Sequence, residues 1–470
     1  MGPGGRAFVT ADLNMSIARV FLVFLSLLMT LSTSEAQINS VKAGAEILHL
    51  IRQEKFDLIL PGAMRDNDID MWIHAIRTAN PDPMAWYFGP VSGYIIFTDR
   101  AGDRIERAVL GSGGPPDLYD HFGSPDDLKA FVAERDPNTI AINTSAWLAM
   151  ADGISHSEYL KLEKALGPEY SRRIVSAENV ITDFIVRRVQ REIIAFANAA
   201  EMHRQILERA LSDEVITPGV TTLGDVGWWV QEQLGKQGLL RDYSLNIRYP
   251  RILYSAKSKP VEEPNVRWWI HYPDYVIQRG DFMTFLIRVR YLNAFSTDFK
   301  RNLYVMREGE TTVPESLQLA FDRAVDAREI IRKNMKGGRT AGETLQAVAS
   351  GLENEGYIHT PFTNNVAEDY ELLKKMVTGD KSGFSIDLHS VAGNTDYIGT
   401  VGPSVSPFHQ DRDHLTIQEN YIFALEYMVH TALPERPGYP MSVNIEGNHI
   451  VTGRGVEWLH PPNERILLIH

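Results

Sequence analysis

Three carboxylates and one imidazole stand where chemistry could use them. Asp298 falls within Phe295-Ser-Thr-Asp-Phe-Lys-Arg-Asn-Leu-Tyr-Val305, and His389 lies in Ile386-Asp-Leu-His-Ser-Val. Glu426 interrupts Phe423-Ala-Leu-Glu-Tyr, and Glu446 closes Val443-Asn-Ile-Glu. A carboxylate in an apolar, strand-like run is costly to bury unless it is paired, hydrogen-bonded or bound to a metal. Taken singly, each is as well read as a strand-edge residue facing water, and His389 as a satisfied core or surface histidine. Cysteine is absent from the chain, which excludes disulfides, thiolate metal sites and cysteine nucleophiles. Any chemistry therefore falls to carboxylates, imidazoles and hydroxyls.

The elements that must position these groups are spread over 470 residues, more than one domain usually needs. Hydrophobic residues make up 44% and charged residues 23%, an ordinary globular balance. The net charge of −13 argues against a broad nucleic-acid surface, which needs clustered Lys and Arg. Near the start, Arg19 precedes the apolar run Val20–Met29, and Thr30-Leu-Ser-Thr-Ser-Glu-Ala36 follows it. That order describes a secretory signal over 1–36, cleaved after Ser34-Glu-Ala36 to leave Gln37 first, and Met15 heads a better-shaped signal than Met1. The run is shorter than the roughly 20 residues of a membrane span. An uncleaved anchor or a buried first helix are the alternatives; the expectation is a secreted or periplasmic protein with no stable span.

Between about 40 and 167 the chain alternates short apolar runs with helical stretches, an α/β texture. Phe56-Asp-Leu-Ile-Leu60, Gly93–Thr98, Ile105–Leu110 and Thr139–Asn143 read as strands, with Asp99-Arg-Ala-Gly-Asp103 as a hairpin loop between the second and third. A helical region over 177–211 carries Arg187-Arg188 and Arg191-Glu192, read as a solvated face. Thr222–Leu234 predicts an amphipathic helix. Strand-like runs follow at Asn246–Tyr249, Phe282–Val289 and Asn302–Met306, then helices from Pro314 to about Met335 and over 341–354. This half is α+β.

In order and context, Asp298, His389, Glu426 and Glu446 resemble the pita-bread metallohydrolases: creatinase, prolidase, Xaa-Pro aminopeptidase and methionine aminopeptidase. The resemblance runs from about Ser40 to the end. Leu60-Pro-Gly-Ala-Met-Arg-Asp-Asn-Asp-Ile-Asp-Met-Trp-Ile73 and Ala141–Ile154 resemble the N-terminal domain of secreted bacterial relatives. It implies an α/β creatinase-like N-terminal domain over 37–176 and an α+β pita-bread domain over 177–470, linked by the helix at 177–211. In the family two Asp, one His and two Glu hold two metal ions, the Asp eleven residues apart. Here the earlier position is Ile287, so the first ligand is missing.

Carried over, Asp298, His389, Glu426 and Glu446 could hold one divalent ion, Mn²⁺, Zn²⁺ or Fe²⁺, or none if the site is fully degenerate. Ile287 is expected to line the emptied side. A second alignment puts Ser382 in the ligand position and leaves His389 to handle substrate. Without a metal, Glu426 could act as general base.

Three functions follow from the resemblance. The first is an exported Xaa-Pro aminopeptidase or prolidase with a modified site, acting on peptide ends. The second is an inactive member that binds peptides or a protein partner, and the third a metal-free hydrolase of a small amidino compound. The family also makes a homodimer an expectation. Among lesser features, Asn143-Thr-Ser145 matches a glycosylation sequon, and Trp228-Trp229 and Trp268-Trp269 read as core or interface packing. Lys257, Lys259 and Arg267 near His271 read as a solvated loop, or as a pocket for a peptide carboxylate.

Overall fold

The early apolar runs pair into one mixed sheet: β1 (Met71–Ile76), β2 (Val91–Thr98), β3 (Glu106–Gly113), β4 (His121–Gly123), β5 (Ile140–Ile142) and β6 (Ile174–Ser176). The chain is described by a computed structural model over residues 41–80, 82–239, 251–254, 273–292, 295–361, 367–391, 401–438 and 440–470. Residues 41–50 are helical, and 51–470 form a unit of their own. The signal-like segment, the run at Asn246–Tyr249, Trp268-Trp269 and the basic residues Lys257, Lys259 and Arg267 with His271 lie outside the described residues. Among the described residues no helix is long and apolar enough to cross a membrane.

In the first sheet the strand order is β4-β3-β2-β1-β5-β6. β2 and β3 form the expected antiparallel hairpin, with Thr98 opposite Glu106. β5 runs parallel to β1 and to β6, and helices at Leu128–Arg135 and His156–Ser171 supply the connections. Phe56–Leu60 is a correction: it is helical, a π-turn over Lys55–Ile59 leading into a helix over Leu60–Arg65. A five-residue apolar run does not separate strand from helix. Here Phe56, Leu60, Ala63 and Met64 recur at helical spacing and are all buried, and Pro61 sits in the first turn, where it costs no hydrogen bond.

The Asn143 amide is buried in this sheet, giving a hydrogen bond to Ala75 O and accepting one from Ala75 N, both 3.0 Å. The sequon is therefore not open to a sugar. The long helical region is two helices, Glu178–Val186 and Gln190–Ala210, separated by extended backbone at Arg187. That break turns Arg188 and Glu192 inward, against the solvated-face expectation: Glu192 takes an ion pair from Arg188 and another from Lys55 at 3.2 Å, all three side chains almost fully buried. Arg187 and Arg191 keep more solvent contact, paired with Asp66 and Glu54.

Two further sheets follow. β7 (Arg251–Tyr254), β8 (Phe282–Tyr291) and β9 (Phe295–Val305) belong to one. β10 (Tyr357–His359), β11 (Ser382–Ser390), β12 (Ser404–Val405), β13 (Ile422–Thr431), β14 (Met441–Ile445), β15 (Asn448–Thr452) and β16 (Gly455–Trp458) make the other. The last strand, β17 (Leu467–Ile469), returns beside β9, giving the order β17-β9-β8-β7. The larger sheet runs β10-β11-β13-β15-β16, with β12 on β11 and β14 on β13.

Helices at Leu223–Lys236 and Ala341–Asn354 both start with reciprocal caps, Thr222 with Asp225 and Thr340 with Glu343. Helix Glu315–Asn334 follows Pro314 as expected. Trp228 is a second correction. The Leu223–Lys236 helix buries Leu223, Val226, Val230 and Leu234, which leaves Trp228 on the opposite, exposed side, while Trp229 lies under the Arg209 guanidinium at 5.3 Å.

Alternation decides which side of the larger sheet is core. Phe384, Ile386 and Leu388 of β11 and Phe423, Leu425, Tyr427 and Val429 of β13 join one apolar cluster with Phe321, Ala324, Ala327 and Ile331 of the 315–334 helix. The Tyr427 hydroxyl donates to Ala324 O at 2.7 Å. The residues between them, Asp387 and His389 on β11 and Glu426 on β13, must face the other way.

Candidate functional site

Strand register brings the charged residues together. Asp387 pairs with Glu426 across β11 and β13, which puts His389, two residues on, on the same face. On β9, Asp298 and Lys300 share a face for the same reason, and Arg288 of β8 lies directly opposite Asp298. Glu446 occupies the bend between β14 and β15, where its carbonyl accepts a bond from Lys300 N at 3.2 Å. Asn448, just after it, accepts from Asp298 N at 3.0 Å. These two bonds tie the β9 edge to the larger sheet at the depth of the carboxylates.

All four residues singled out in the sequence meet here. His389 Nε2 lies 3.7 Å from Glu446 Oε1 and 3.9 Å from both Asp298 Oδ2 and Glu426 Oε2. Asp298, His389 and Glu446 each present a donor atom within 4.8 Å of the others. Ser382 sits seven residues back on β11, paired with Thr431 and hydrogen-bonded to its hydroxyl at 3.3 Å. It does not join the group.

Position 287 is placed otherwise than expected. Ile287 pairs with Phe299, and both belong to the face opposite Asp298. That face is covered by the Gln190–Ala210 helix, whose His203 ring lies tilted against Phe299 at 3.7 Å and bonds Thr297 Oγ1 at 2.8 Å. Counting along the chain gives a position but not a face, and a one-residue difference in register exchanges the two. The residue that stands beside Asp298 is Arg288, whose Nε and Nη2 reach Asp298 Oδ2 at 3.1 and 3.0 Å.

Lys300 joins the cluster, and sequence reasoning passed over it. Its ammonium pairs with Glu426 and lies 2.9 Å from Glu446 Oε2, with the side chain only 2% exposed. Asp387, facing Glu426, was passed over as well. Both were legible as residues two positions from a chosen one on a strand, hence on its face.

The charges shift one another. Burial would raise the Glu426 carboxyl, but Lys300, His389 and Arg288 outweigh it and hold the group down to about 2. Burial also raises Glu446, and the neighbouring Asp298 and Glu426 charges add to that rise. For His389 burial works downward, yet its contact with Glu446 and the charges of Asp387 and Asp298 push it up to about 9. The imidazole is therefore a cation at neutral pH. Burial acts downward on Arg288 too, and Asp298 reverses it, so that guanidinium stays charged.

Whether these residues suit a resident divalent ion turns on that balance. Asp298 Oδ1 and both carboxylate oxygens of Glu446 are buried without a hydrogen-bond partner, as ligand atoms would be. Against this, Lys300 already joins two of the carboxylates and Arg288 holds the third. As they stand, the residues supply their own positive charge and do not fit a divalent ion beside it.

Comparison with known proteins places this architecture. The model of Metallopeptidase family M24 matches residues 195–453. Among solved structures the chain is similar to the X-Pro aminopeptidase from Thermotoga maritima MSB8, 16% identical with a TM-score of 0.58, over 87% of this chain and 99% of that one. The Xaa-Pro dipeptidase from Bacillus anthracis is 17% identical with a TM-score of 0.57, over 89% and 99%. The prolidase from Pyrococcus horikoshii OT3 is 17% identical with a TM-score of 0.52, over 88% and 100%. A sequence comparison with curated proteins gives no match. At these identities the structures speak for fold alone. The α/β region followed by an α+β pita-bread region, read from the sequence, is the fold they share with this chain. Since the family model spans more than half of the sequence, the chain belongs to Metallopeptidase family M24.

Proposed function

We propose that this chain is an exported protein of the Xaa-Pro aminopeptidase and prolidase type that binds peptide ends in its acid pocket without metal-assisted hydrolysis. One observation carries the reading: the Lys300 ammonium lies between Glu426 and Glu446 and contacts both carboxylates. The names of the similar structures, X-Pro aminopeptidase and Xaa-Pro dipeptidase, support proline-containing peptides as the ligand class. A hydrolase with one Mn²⁺, Zn²⁺ or Fe²⁺ on Asp298, His389, Glu426 and Glu446 would first have to displace Lys300 and deprotonate His389. The geometry favours it less.

The test uses protein grown with Mn²⁺ and Zn²⁺ supplements. Elemental analysis, titration with Xaa-Pro tripeptides and mass spectrometry of the incubated peptides are run on the same sample. The expected result is peptide binding with well under one metal per chain and intact peptides. Stoichiometric metal with cleavage that a chelator abolishes would overturn the proposal.

The imidazolium of His389 supports a second reading, metal-free hydrolysis of a small neutral amidino compound, with His389 donating a proton and Glu426 as base. It requires turnover that survives chelation and disappears in His389→Gln.

A further inference from the structure

We infer that Lys300 is a built-in counter-cation that closes a single-cation site, and that removing its charge opens Asp298, His389, Glu426 and Glu446 to one divalent ion. The inference rests on the metal-free reading of the pocket given above and deepens it by naming the residue responsible.

The placement of Lys300 is fixed from both ends. Its main-chain N–H bonds Glu446 O at 3.2 Å, so the strand cannot slide away from the carboxylate bend. At the other end its ammonium contacts Glu426 and Glu446 and is sealed from solvent. A long flexible side chain normally keeps its charge in water. One buried at full length is held there by the acids it serves, and those acids are held apart from one another by it.

Nζ therefore contacts Glu426 Oε1 and Glu446 Oε2, and the other oxygen of each carboxylate faces His389, while Asp298 Oδ1 keeps an unfilled acceptor in the same cluster. An ammonium offers three donors and no lone pair. A divalent ion entering beside it would meet a like charge in a poorly screened interior. Oxygen-rich donors with one imidazole suit Mn²⁺, Co²⁺ or Zn²⁺. The donor set is thus retained, and Lys300 is the cation that contacts two of its carboxylates at once.

The experiment measures Mn²⁺ binding by calorimetry and the visible absorption of added Co²⁺, using the full folded chain and no activity assay. Wild type and the charge-keeping Lys300→Arg should bind less than a tenth of an equivalent. Lys300→Ala should bind one equivalent at least 100-fold more tightly, raise its Tm with added Mn²⁺, and lose both gains when combined with Glu446→Gln. If Lys300→Ala fails to fold because its carboxylates repel, the balanced double change Lys300→Met with Glu426→Gln removes one charge of each sign. It should still take one Co²⁺ on Asp298, His389 and Glu446.

Stoichiometric Mn²⁺ in the wild type would overturn the inference. So would a folded Lys300 variant that takes up no more metal than the parent. Peptide titration is scored apart: loss of peptide binding with the metal results intact would defeat the functional proposal alone.

Discussion

Two buried clusters in this molecule each combine a lysine, an arginine and glutamate, and they are built to different ends. In the first, Glu192 sits between Lys55 and Arg188, and each cation also bonds a main-chain carbonyl, Lys55 to Arg187 O at 2.8 Å and Arg188 to Val391 O at 2.5 Å, with Arg188 Nε left unpartnered. Burial is the main influence on Lys55 and lowers it to about 8 even with Glu192 beside it. In the second, Lys300, Arg288 and His389 face Asp298, Glu426 and Glu446. There the acids outnumber the main-chain partners, Asp298 Oδ1 is left without one, and Glu426 keeps 17% of its side chain open to solvent. The first cluster is closed and hydrogen-bonded for stability. The second keeps spare acceptors and some contact with solvent through Glu426.

The largest expected effect tests that contrast directly. Glu192→Gln leaves two buried cations without their acid and should cost roughly 3–5 kcal/mol in urea unfolding. Glu446→Gln removes a carboxylate whose ionisation its neighbours already oppose, and should stay within about 1 kcal/mol of wild type. Equal losses at the two positions would erase the distinction.

Next in size is a pH effect of opposite sign at two sets of buried histidines. His389 has its folded value raised from 6.5 to about 9. Its contribution is fully present below pH 6.5 and is lost as pH rises through 9, about 3 kcal/mol in all. Comparing wild type with His389→Gln, the stability difference should be larger at pH 6 than at pH 10. His430 and His460 are instead lowered by burial from 6.5 to about 3. For them the unfolded chain takes the proton first, so stability should fall as pH drops from 6.5 toward 3, by up to about 1.4 kcal/mol per unit for each. A flat profile between pH 6 and 4 would contradict the buried, neutral state of both rings.

Smaller again is Arg288→Ala, which strips the hydrogen bonds from a buried Asp298 carboxylate and should cost about 2 kcal/mol in Tm-derived stability. Arg191→Ala serves as the reference: its pair with Glu54 is largely solvated, and its loss should not exceed about 0.5 kcal/mol. An Arg288 effect no larger than this would mean that the guanidinium does not neutralise Asp298.

Much of the architecture was legible because periodicity and local capping decide it. Thr222 and Pro314 marked helix starts that the structure keeps. The order of Asp298, His389, Glu426 and Glu446 was enough to predict that they meet. What escaped was information that lives between strands. Register set Arg288 rather than Ile287 beside Asp298. The break at Arg187 turned Arg188 and Glu192 into the interior. Lys300 was visible two residues past Asp298, yet a lysine in a polar-looking Phe-Lys-Arg-Asn stretch carries no sign in sequence that it will be buried. Only the approach of the Glu446 bend from a distant part of the chain makes it so.

The main-chain bond between Lys300 and Glu446 also sets how the pocket can diversify. The backbone contact survives any replacement at position 300 except proline, since it needs only an N–H. The scaffold therefore accepts different side chains there without being re-laced, and a single point change can make the buried cluster one charge more negative.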